Sequence, residues 1–557
     1  MNPPAFAAAP VRLSGLRLPR FTWNQETLLL AASLWFTLAC NGSFWDAVLQ
    51  GRNPASPGTW RFLAGTGLLI TALHFILAAL PACRRSLKPL LALLLALAAA
   101  TGFYMHKFGI YVDPDMVRNV LRTDPAEARE LLTPDLLWHL LLYLGLPLLF
   151  LSRVELLPRR PGPALLRRGL SLLAALLLGA GGLALASQDL AALMRNHKEV
   201  RYLITPGNVV YSLARTWSRD ARASPAARQV IAPDATLGGT WAGRRKPVLF
   251  VLVLGETARA ANWGTHPGPD GRLRDTAPET TARNVIRFTD VRSCGTSTEV
   301  SLPCMFSLQG RRHYDEAAIR NSESLLHVLA RAGFRVVWRD NQAGCKGVCA
   351  GLEQQRPEPR PELCDGERCL DEILLDGLPR LAADHQGNLV LVLHQLGNHG
   401  PAYHKRYPES FRRFGPGCDT ADLSQCSQER IINSYDNALL YTDHFLARTI
   451  DLLKAQEDRY DTALLYVSDH GESLGENGLY LHGIPYAIAP REQTQVPMLL
   501  WLSPGFSRSA SLDAGCLRQA AAGPASHDHL FHSILGLLDV QTRDRDTQLD
   551  LTAPCRS

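Results

Sequence analysis

Net positive charge is missing from the larger part of this sequence. The 557 residues include 58 Lys and Arg against 52 Asp and Glu. Residues 1–190 hold 17 of the basic and 10 of the acidic residues, which leaves 41 basic and 42 acidic residues for the rest of the chain. Nucleic-acid binding requires clustered Lys and Arg that displace counterions from phosphates. The charge distribution therefore excludes nucleic acid as a partner.

Long apolar runs are also missing after residue 190, whereas they dominate the sequence before it. Five stretches reach or approach the roughly 20 residues that a membrane-spanning helix needs. They are Glu26–Asp46, Phe62–Ala82, Leu87–His106, Pro134–Ser152 and Arg168–Ser187. The first is too long, and has too little of a small-residue cleavage site, for a removed signal peptide. We therefore predict a transmembrane domain of five helices over residues 1–190.

Basic residues are concentrated in alternate loops between these stretches. One side of the membrane receives 11 of them and the other side six; the 11 are Arg12, Arg17, Arg20, Arg84, Arg85, Lys88, Arg153, Arg159, Arg160, Arg167 and Arg168. Loops rich in Lys and Arg stay in the cytoplasm. The N-terminus is therefore predicted inside, and five crossings place everything after Gln188 outside.

Cysteine is scarce before residue 190, where only Cys40 and Cys83 occur, and ten cysteines follow. The first eight of those ten fall in close pairs, and no spacing repeats as a four-ligand zinc set. An exported domain lies in an oxidising compartment, which favours disulfides. We expect local bonds between the pairs Cys294–Cys304, Cys345–Cys349, Cys364–Cys369 and Cys418–Cys426, and the sequence leaves Cys516 and Cys555 open.

Several short apolar runs after residue 246 end in Glu, Asp or His, which can bind metals or transfer protons. VLFVLVLGET ends at Glu256, FRVVWRDNQ at Asp340, NLVLVLHQLGNHG at His399, and TALLYVSDHG at Asp469 and His470. Runs that are apolar on both faces suit buried parallel strands, and helical periodicities lie between them. This alternation predicts a doubly wound α/β domain over residues 246–557, with ligands at the carboxyl ends of the strands. Carboxylates and imidazoles gathered there make a metal site plausible.

The connector over residues 191–245 mixes apolar and basic residues at near-helical spacing before an Ala-, Pro- and Ser-rich stretch. It is either a solvated linker or an amphipathic bridging helix at the bilayer surface, with Trp217 at headgroup level. Both interpretations stay open.

A hydroxyl-rich segment, RSCGTSTEVSLPCMFS, lies between two cysteines ten positions apart. A disulfide there would hold one hydroxyl near the N-terminus of a helix, a position that favours anions. A hydroxyl becomes a good nucleophile at neutral pH when a base or a metal activates it. The carboxylates and histidine at the strand ends are candidates to hold that metal.

Motifs along nearly the whole chain point to one family. They are the five spans, RNHKEVRYLITPGNVVY, GET, CGTSTEVSLPCMFS, RDNQAGCKGVC, HQLGNHGPAY, INSYDNALLYTD and SDHGESLGENGLYLHG. With these motifs the sequence resembles the phosphoethanolamine transferases that modify lipid A, which belong to the alkaline phosphatase and sulfatase superfamily. The resemblance implies a zinc-dependent catalytic domain in the periplasm, fused to a multi-pass domain in the bacterial inner membrane.

The resemblance also implies roles for individual residues. Thr298 would be the nucleophile, and Glu256, Asp469 and His470 would join it around one or two Zn2+ ions. Phosphate contacts would come from Thr296, Lys346, His399 and His482, and the last two are candidate proton donors or acceptors. Five of these residues also have a structural alternative: a turn for Asp469 and His470, a helix cap for Glu256, and a solvated side chain for His482 and Lys346.

Contacts to the donor lipid would fall in the loop FGIYVDPDMVRNVLRTDPAEARE, on Asn119, Thr123 and Glu127. Their i, i+4, i+8 spacing predicts one shared helical face, which otherwise would be a solvated face. Gln342 and Ala343 stand where the family often has Asn and Ser, which changes the expected substrate contacts there.

We therefore expect transfer of phosphoethanolamine from phosphatidylethanolamine to a lipid A phosphate, through a covalent intermediate on Thr298, with release of diacylglycerol and lower polymyxin susceptibility. The chain is expected to act in the bilayer as a monomer. Three alternatives remain: the same transfer to lipopolysaccharide core sugars or another glycan, a glycerol-phosphate transferase of the same superfamily, and a sensor that lost the chemistry.

Overall fold

Long apolar helices occupy the N-terminal part of the chain, and a mixed α/β region follows. The computed structural model describes residues 19–222 and 228–556, so Arg12 and Arg17 lie outside the described residues. Residues up to 103 together with 135–207 form one unit, and residues 104–134 together with 208 onward form a second unit. Below, these are called the membrane unit and the catalytic unit.

The described helices, in chain order, are α1 Gln25–Ala39, α2 Gly42–Leu49, α3 Pro57–Ala79, α4 Leu87–Phe108, α5 Pro114–Arg122, α6 Pro125–Glu130, α7 Pro134–Leu140, α8 Leu146–Arg153, α9 Pro161–Asn196, α10 Gly207–Arg222, α11 Pro278–Thr281, α12 Thr298–Met305, α13 Glu316–Asn321, α14 Leu325–Arg331, α15 Leu378–Asp384, α16 Gln428–Lys454, α17 Arg491–Thr494, α18 Pro504–Ser509, α19 Ala514–Ala520 and α20 Asp528–Leu537. A π-helical stretch, Leu141–Gly145, joins α7 to α8.

The described strands are β1 Phe21–Trp23, β2 Val154–Leu156, β3 Thr236–Leu237, β4 Val248–Gly255, β5 Thr265–Pro267, β6 Leu273–Asp275, β7 Ile286–Phe288, β8 Asp290–Arg292, β9 Arg335–Asp340, β10 Glu353–Gln355, β11 Leu389–His394, β12 Asp461–Ser468, β13 Ser473–Leu474, β14 Tyr480–Leu481, β15 Met498–Leu502, β16 Pro524–Ser526 and β17 Val540–Gln541.

The apolar helices of the membrane unit match the predicted spans. The helices α3, α4 and α9 and the run Pro134–Arg153 are each long and apolar enough to cross a bilayer. The first predicted stretch is a bent pair, α1 and α2, with an angle of 53° between them, and it supplies a fifth crossing if the pair is one span. The prediction of an apolar, multi-pass helical region is confirmed.

Small residues let α3 and α9 approach closely inside the membrane unit. An added Cβ at Gly65 would lie 2.7 Å from the carbonyl oxygen of Gly182, and one at Gly182 would lie 2.5 Å from the carbonyl oxygen of Gly65. Lipid tails are as apolar as Leu, so membrane helices associate through such close packing rather than through the hydrophobic effect.

A seven-stranded sheet forms the centre of the catalytic unit, in the order β10-β9-β11-β4-β12-β15-β7. The five strands from β10 to β12 run parallel, β15 is antiparallel to β12, and β7 is antiparallel to β15. Alternate residues of β4 belong to two different apolar clusters, one with α12, α14 and α20 and one with α15 and α16. Both faces of the sheet are therefore covered, and the predicted α/β architecture is confirmed.

Disulfide bonds join the four close cysteine pairs, Cys294–Cys304, Cys345–Cys349, Cys364–Cys369 and Cys418–Cys426. A fifth disulfide bond links Cys516 to Cys555, whose pairing the sequence alone does not determine. All ten cysteines of the catalytic unit are thus used within the unit.

The segment 104–134, which the sequence-based boundary at residue 190 put in the transmembrane domain, packs instead as part of the catalytic unit. Lys107 forms a 2.6 Å ion pair with Asp422, and Arg406 forms a 2.7 Å ion pair with Glu130; all four side chains are largely buried. Hydropathy finds spans, but it does not reveal these ion pairs between residues far apart in sequence.

Part of the predicted connector is helical, as α10, Gly207–Arg222. Ser212 donates a hydrogen bond to the Val112 carbonyl and Thr216 to the Pro114 carbonyl, so one face of α10 packs on the segment 104–134. Trp217 lies outside this face, with 79% of its surface exposed. Its location at the bilayer surface stays a prediction.

Gly182→Ala should destabilise the membrane unit, because its methyl group would collide with the backbone of α3. Overpacking of this kind costs about 1–3 kcal/mol. Gly181→Ala is the matched control, since a Cβ at Gly181 meets nothing within 4 Å. Thermal unfolding in detergent should show a lower Tm for Gly182→Ala alone; equal Tm values would contradict the packing described here.

Candidate metal centre and active site

Two neighbouring strands deliver three ionisable side chains to one point. Glu256 follows β4, and Asp469 and His470 follow β12. The strands are paired so that Gly255 lies opposite Ser468, and the Asp469 amide donates to the Gly255 carbonyl. Each of the three side chains is fully buried. The site therefore lies at the carboxyl edge of the parallel strands, as the sequence predicts.

Thr298, the first residue of α12, points its hydroxyl at this cluster. Its Oγ1 lies 3.0 and 3.1 Å from the two carboxylate oxygens of Glu256 and 3.4 Å from Nε2 of His470. Ser301, one turn later, donates a 2.5 Å hydrogen bond to the Asp469 carbonyl and fixes the helix to the end of β12. The nucleophile predicted from the sequence is therefore brought together with the metal-type residues.

Backbone constraints hold Glu256 in place. Thr257, the next residue, has φ of 53°, a left-handed conformation that costs energy for a β-branched residue. Gly397 has φ of 58°, and a Cβ there would lie 2.6 Å from the Glu256 carbonyl oxygen. Strain next to a buried carboxylate is typical of a functional site.

Glu256, Asp469 and His470 fit a divalent metal ion. Their ligand atoms all lie within 4.8 Å of one another. Oδ2 of Asp469 is buried and has no hydrogen-bond partner in the described chain. Nδ1 of His470 is bound to the Gly471 carbonyl at 2.9 Å, which leaves Nε2 facing the cluster. Oxygen and imidazole ligands with such a second partner on the histidine are characteristic of zinc-type sites.

The pKa shifts of these three side chains also indicate that the cluster favours a positive charge. Burial raises the pKa of Asp469, and the charge of Glu256 raises it further. Burial opposes the ionisation of Glu256, yet the hydrogen bond from His470 keeps its pKa below the usual value. Burial favours neutral His470, but Asp469 and Glu256 raise its pKa to about 10. A proton on His470 thus balances charge that a bound cation would balance instead.

Three more side chains border the cluster. His482 packs its ring 4.5 Å from that of His470 and 5.1 Å from that of His399, centroid to centroid. Nδ1 of His482 lies 3.4 Å from Oε2 of the fully buried Glu472. Sequence reasoning missed Glu472, although an acidic residue two positions after His470 in SDHGES is a signal that could have found it.

His399 is paired with Glu127 of the segment 104–134. Its Nε2 lies 3.3 Å from Oε1 of Glu127. Burial favours neutral His399, but the carboxylate of Glu127 raises the pKa of His399 to about 9. Burial likewise opposes ionisation of Glu127, but His399 lowers its pKa to about 2. The predicted donor-lipid residue and the predicted phosphate contact therefore meet as an ion pair.

The other predicted phosphate contacts are placed differently. Thr296 donates its hydroxyl to the Ile484 carbonyl at 2.7 Å, so it holds the loop that carries His482. Lys346 lines a small cavity with Arg228 and Arg320, and within the described residues it forms no ion pair. Gln342 donates to Oε2 of Glu256 at 3.3 Å, so this departure from the family pattern contacts the cluster itself.

The prediction that Asn119, Thr123 and Glu127 share one helical face is wrong. The helix α5 ends at Arg122, Thr123 and Asp124 are extended, and α6 begins at Pro125. A residue before proline avoids the helical region, and the Asp124 side chain caps the new helix by accepting from Ala126. Thr123 still donates to the Asn119 carbonyl at 2.8 Å.

Comparisons with known proteins bear on both units. Residues 70–221 match the family model described as Phosphoethanolamine transferase EptA/EptB, and residues 249–540 match the model described as Sulfatase. Phosphoethanolamine transferase EptA of Escherichia coli (strain K12) is 37% identical over 544 residues, which cover 97% of this chain and 98% of that protein. Phosphatidylethanolamine transferase Mcr-1 of Escherichia coli is 36% identical over 525 residues, covering 92% and 94%.

A solved structure resembles the chain over nearly its full length. It is the integral membrane protein lipooligosaccharide phosphoethanolamine transferase A (EptA) from Neisseria meningitidis, with a TM-score of 0.90 and 36% identity. The match covers 96% of this chain and 99% of that structure.

Glu127→Gln should lower the pKa of His399 from about 9 toward or below the ordinary value of about 6.5, because the carboxylate that raises it is removed while burial remains. NMR titration of protein labelled in its histidine rings measures this, with the His399 signal assigned by its loss in His399→Gln. Arg129→Gln is the control, since Arg129 lies on the same segment but pairs with the exposed Glu367. A His399 pKa that is unchanged in Glu127→Gln would contradict the ion pair.

Proposed function

The chain belongs to the EptA/EptB family of phosphoethanolamine transferases, and we propose that it moves phosphoethanolamine from phosphatidylethanolamine to a phosphate of lipid A. The observation that carries this is the hydroxyl of Thr298 held within 3.4 Å of both Glu256 and His470, in a buried cluster that fits a metal ion. The apolar helices place the chain in the bacterial inner membrane, with the sulfatase-like catalytic unit in the periplasm.

Glu256, Asp469 and His470 would hold Zn2+, together with the oxygen of Thr298. When bound, zinc draws electron density from that oxygen and offsets negative charge on the phosphoryl group. The buried Oδ2 of Asp469 supports the assignment, since it has no hydrogen-bond partner among the described residues and lies 3.4 Å from Nε2 of His470, the other ligand atom.

The first half-reaction would form a covalent intermediate on the enzyme. Thr298 Oγ1 attacks phosphorus and loses its hydroxyl proton, the bond from phosphorus to the glycerol oxygen breaks, and diacylglycerol leaves with a proton, so that one proton passes in net from Thr298 to the leaving group. His482 can supply that proton, because Glu472 orients its ring. Protonated His399, stabilised by Glu127, can donate to a phosphoryl oxygen. Splitting one transfer into two displacements is the general advantage of covalent catalysis.

The second half-reaction would transfer the group to the acceptor. A hydroxyl oxygen of a lipid A phosphate attacks the phosphothreonine, the bond from phosphorus to Thr298 breaks, and the proton of that phosphate hydroxyl passes in net to Thr298. A single chain supplies every residue of this site, which favours a monomeric enzyme. Both lipids are membrane-bound, and this explains why a catalytic domain of this type is joined to spanning helices.

Intact lipid A mass spectrometry on cells that express the parent or Thr298→Ala tests the proposal. We expect a mass gain of one phosphoethanolamine in the parent and none in Thr298→Ala, because the attacking oxygen is removed. Thr296→Ala is a matched control that removes a neighbouring hydroxyl bonded to Ile484, and we expect it to retain modification at a reduced level. A gain confined to core sugars would favour that acceptor instead, and an added glycerol phosphate would favour the glycerol-phosphate alternative.

Expression in a susceptible host should raise the polymyxin concentration that inhibits growth by several-fold. The added amine cancels negative charge on lipid A and weakens the attraction of a cationic peptide. Broth dilution with the parent, Thr298→Ala and an empty vector measures this. An unchanged value in cells whose lipid A carries the added group would contradict the electrostatic explanation.

A further inference from the structure

Glu299, the residue after the proposed nucleophile, has a buried carboxylate that the proposed chemistry does not use. The side chain is 1% exposed. Its Oε1 accepts a 2.5 Å hydrogen bond from Arg122 and a 2.8 Å hydrogen bond from Arg320, while Oε2 has no partner in the described chain. A buried carboxylate is costly without compensating cations. Glu299 is therefore held by two arginines from different parts of the chain.

Arg320 fixes both the side chain and the backbone of Glu299. The same Nη2 atom also donates to the Glu299 carbonyl oxygen at 3.1 Å. On its other side, Nε of Arg320 donates to Oε1 of Glu316 at 3.0 Å. The start of α12, where Thr298 lies, is thereby tied to α13.

The helix α5 joins this group through two arginines on one face. Arg122 reaches Glu299, and Arg118, one turn earlier, forms an ion pair with Glu316 and a 3.1 Å hydrogen bond to Asp220. The Arg118 side chain is only 2% exposed. A continuous series of ion pairs and hydrogen bonds therefore connects α12, which begins at Thr298, to α13, α5 and α10.

The same segment carries the proposed donor-lipid residues. Asn119 and Thr123 follow Arg118 and Arg122 by one position each, and Glu127 contacts His399 a few residues later. Any shift of α5 against α12 would therefore move these groups relative to Thr298. Attack on phosphorus requires the reacting atoms to be closely aligned.

We propose that Glu299 and Arg122 are a positioning pair that sets the register between the donor-lipid segment and the nucleophile. The pair acts through Asn119, Thr123 and Thr298 and does not contact the reacting atoms. This inference rests on the proposed function, since it names what aligns the donor lipid in the same site.

The test is the kinetics of diacylglycerol release from phosphatidylethanolamine vesicles by the full-length protein. Arg122→Gln should lower kcat roughly tenfold while KM changes less than about threefold, because the bound donor is misaligned with Thr298 but its binding contacts are intact. Arg122→Lys keeps the charge and should recover part of the loss. Arg129→Gln, which removes an exposed ion pair on the same segment, should match the parent.

The double variant separates a shared role from two independent ones. If the pair acts as one unit, Arg122→Gln in a Glu299→Gln background should add little to the effect of Glu299→Gln alone. Multiplied effects would overturn the proposal, as would a parent-like kcat in Arg122→Gln. Metal content and Tm are measured alongside, and if Glu299→Gln does not fold, Arg122→Gln decides, because the Arg122 side chain is 42% exposed and its loss leaves no void.

Failure of the proposed function gives a different result. A parent protein that releases no diacylglycerol would reject the transferase assignment, whereas an active parent with unaffected variants would reject only the positioning pair.

Discussion

Two carboxylates and an imidazole buried within 4.8 Å of one another are the constraint on which the rest of the catalytic unit depends. Like charges removed from water repel strongly, and the arrangement persists only if cations or protons balance it and the backbone leaves no other arrangement. Paired strands β4 and β12, the left-handed turn at Thr257 and the absence of a side chain at Gly397 supply that backbone. A site this tightly built has little reorganisation to do when charge develops on a phosphoryl group.

The residues that surround this cluster also form pairs of charged or ionisable side chains. Glu472 contacts His482, and Glu127 forms an ion pair with His399. Glu299 accepts hydrogen bonds from Arg122 and Arg320. Each of these pairs joins a residue beside the cluster or beside Thr298 to a residue on another loop or helix. Substrate groups would thus meet side chains whose positions are already set, which lowers the entropy that must be lost during reaction.

Several of these features could be predicted from the sequence, because they are local. Apolar runs that end in Glu256 and in Asp469 and His470 indicate strands with functional ends, and close cysteine pairs indicate loops closed by disulfides. The break between α5 and α6 was also readable, since Asp124 before Pro125 is a helix boundary. The contacts of Glu299 were not, because Arg122 lies 177 positions away in sequence and no pattern records such a pairing. For the same reason hydropathy could not assign residues 104–134 to the catalytic unit.

The disulfides carry a consequence for where this enzyme can become active. Cys294–Cys304 closes the loop that presents Thr298, and Cys345–Cys349 closes the loop next to Gln342. Thiols stay reduced in the cytosol and are oxidised after export. The two loops beside the cluster of Glu256, Asp469 and His470 therefore gain their cross-links after export. Export thus acts as a maturation step, because a catalytic unit that is still on the cytoplasmic side of the membrane lacks the disulfide bonds of these two loops.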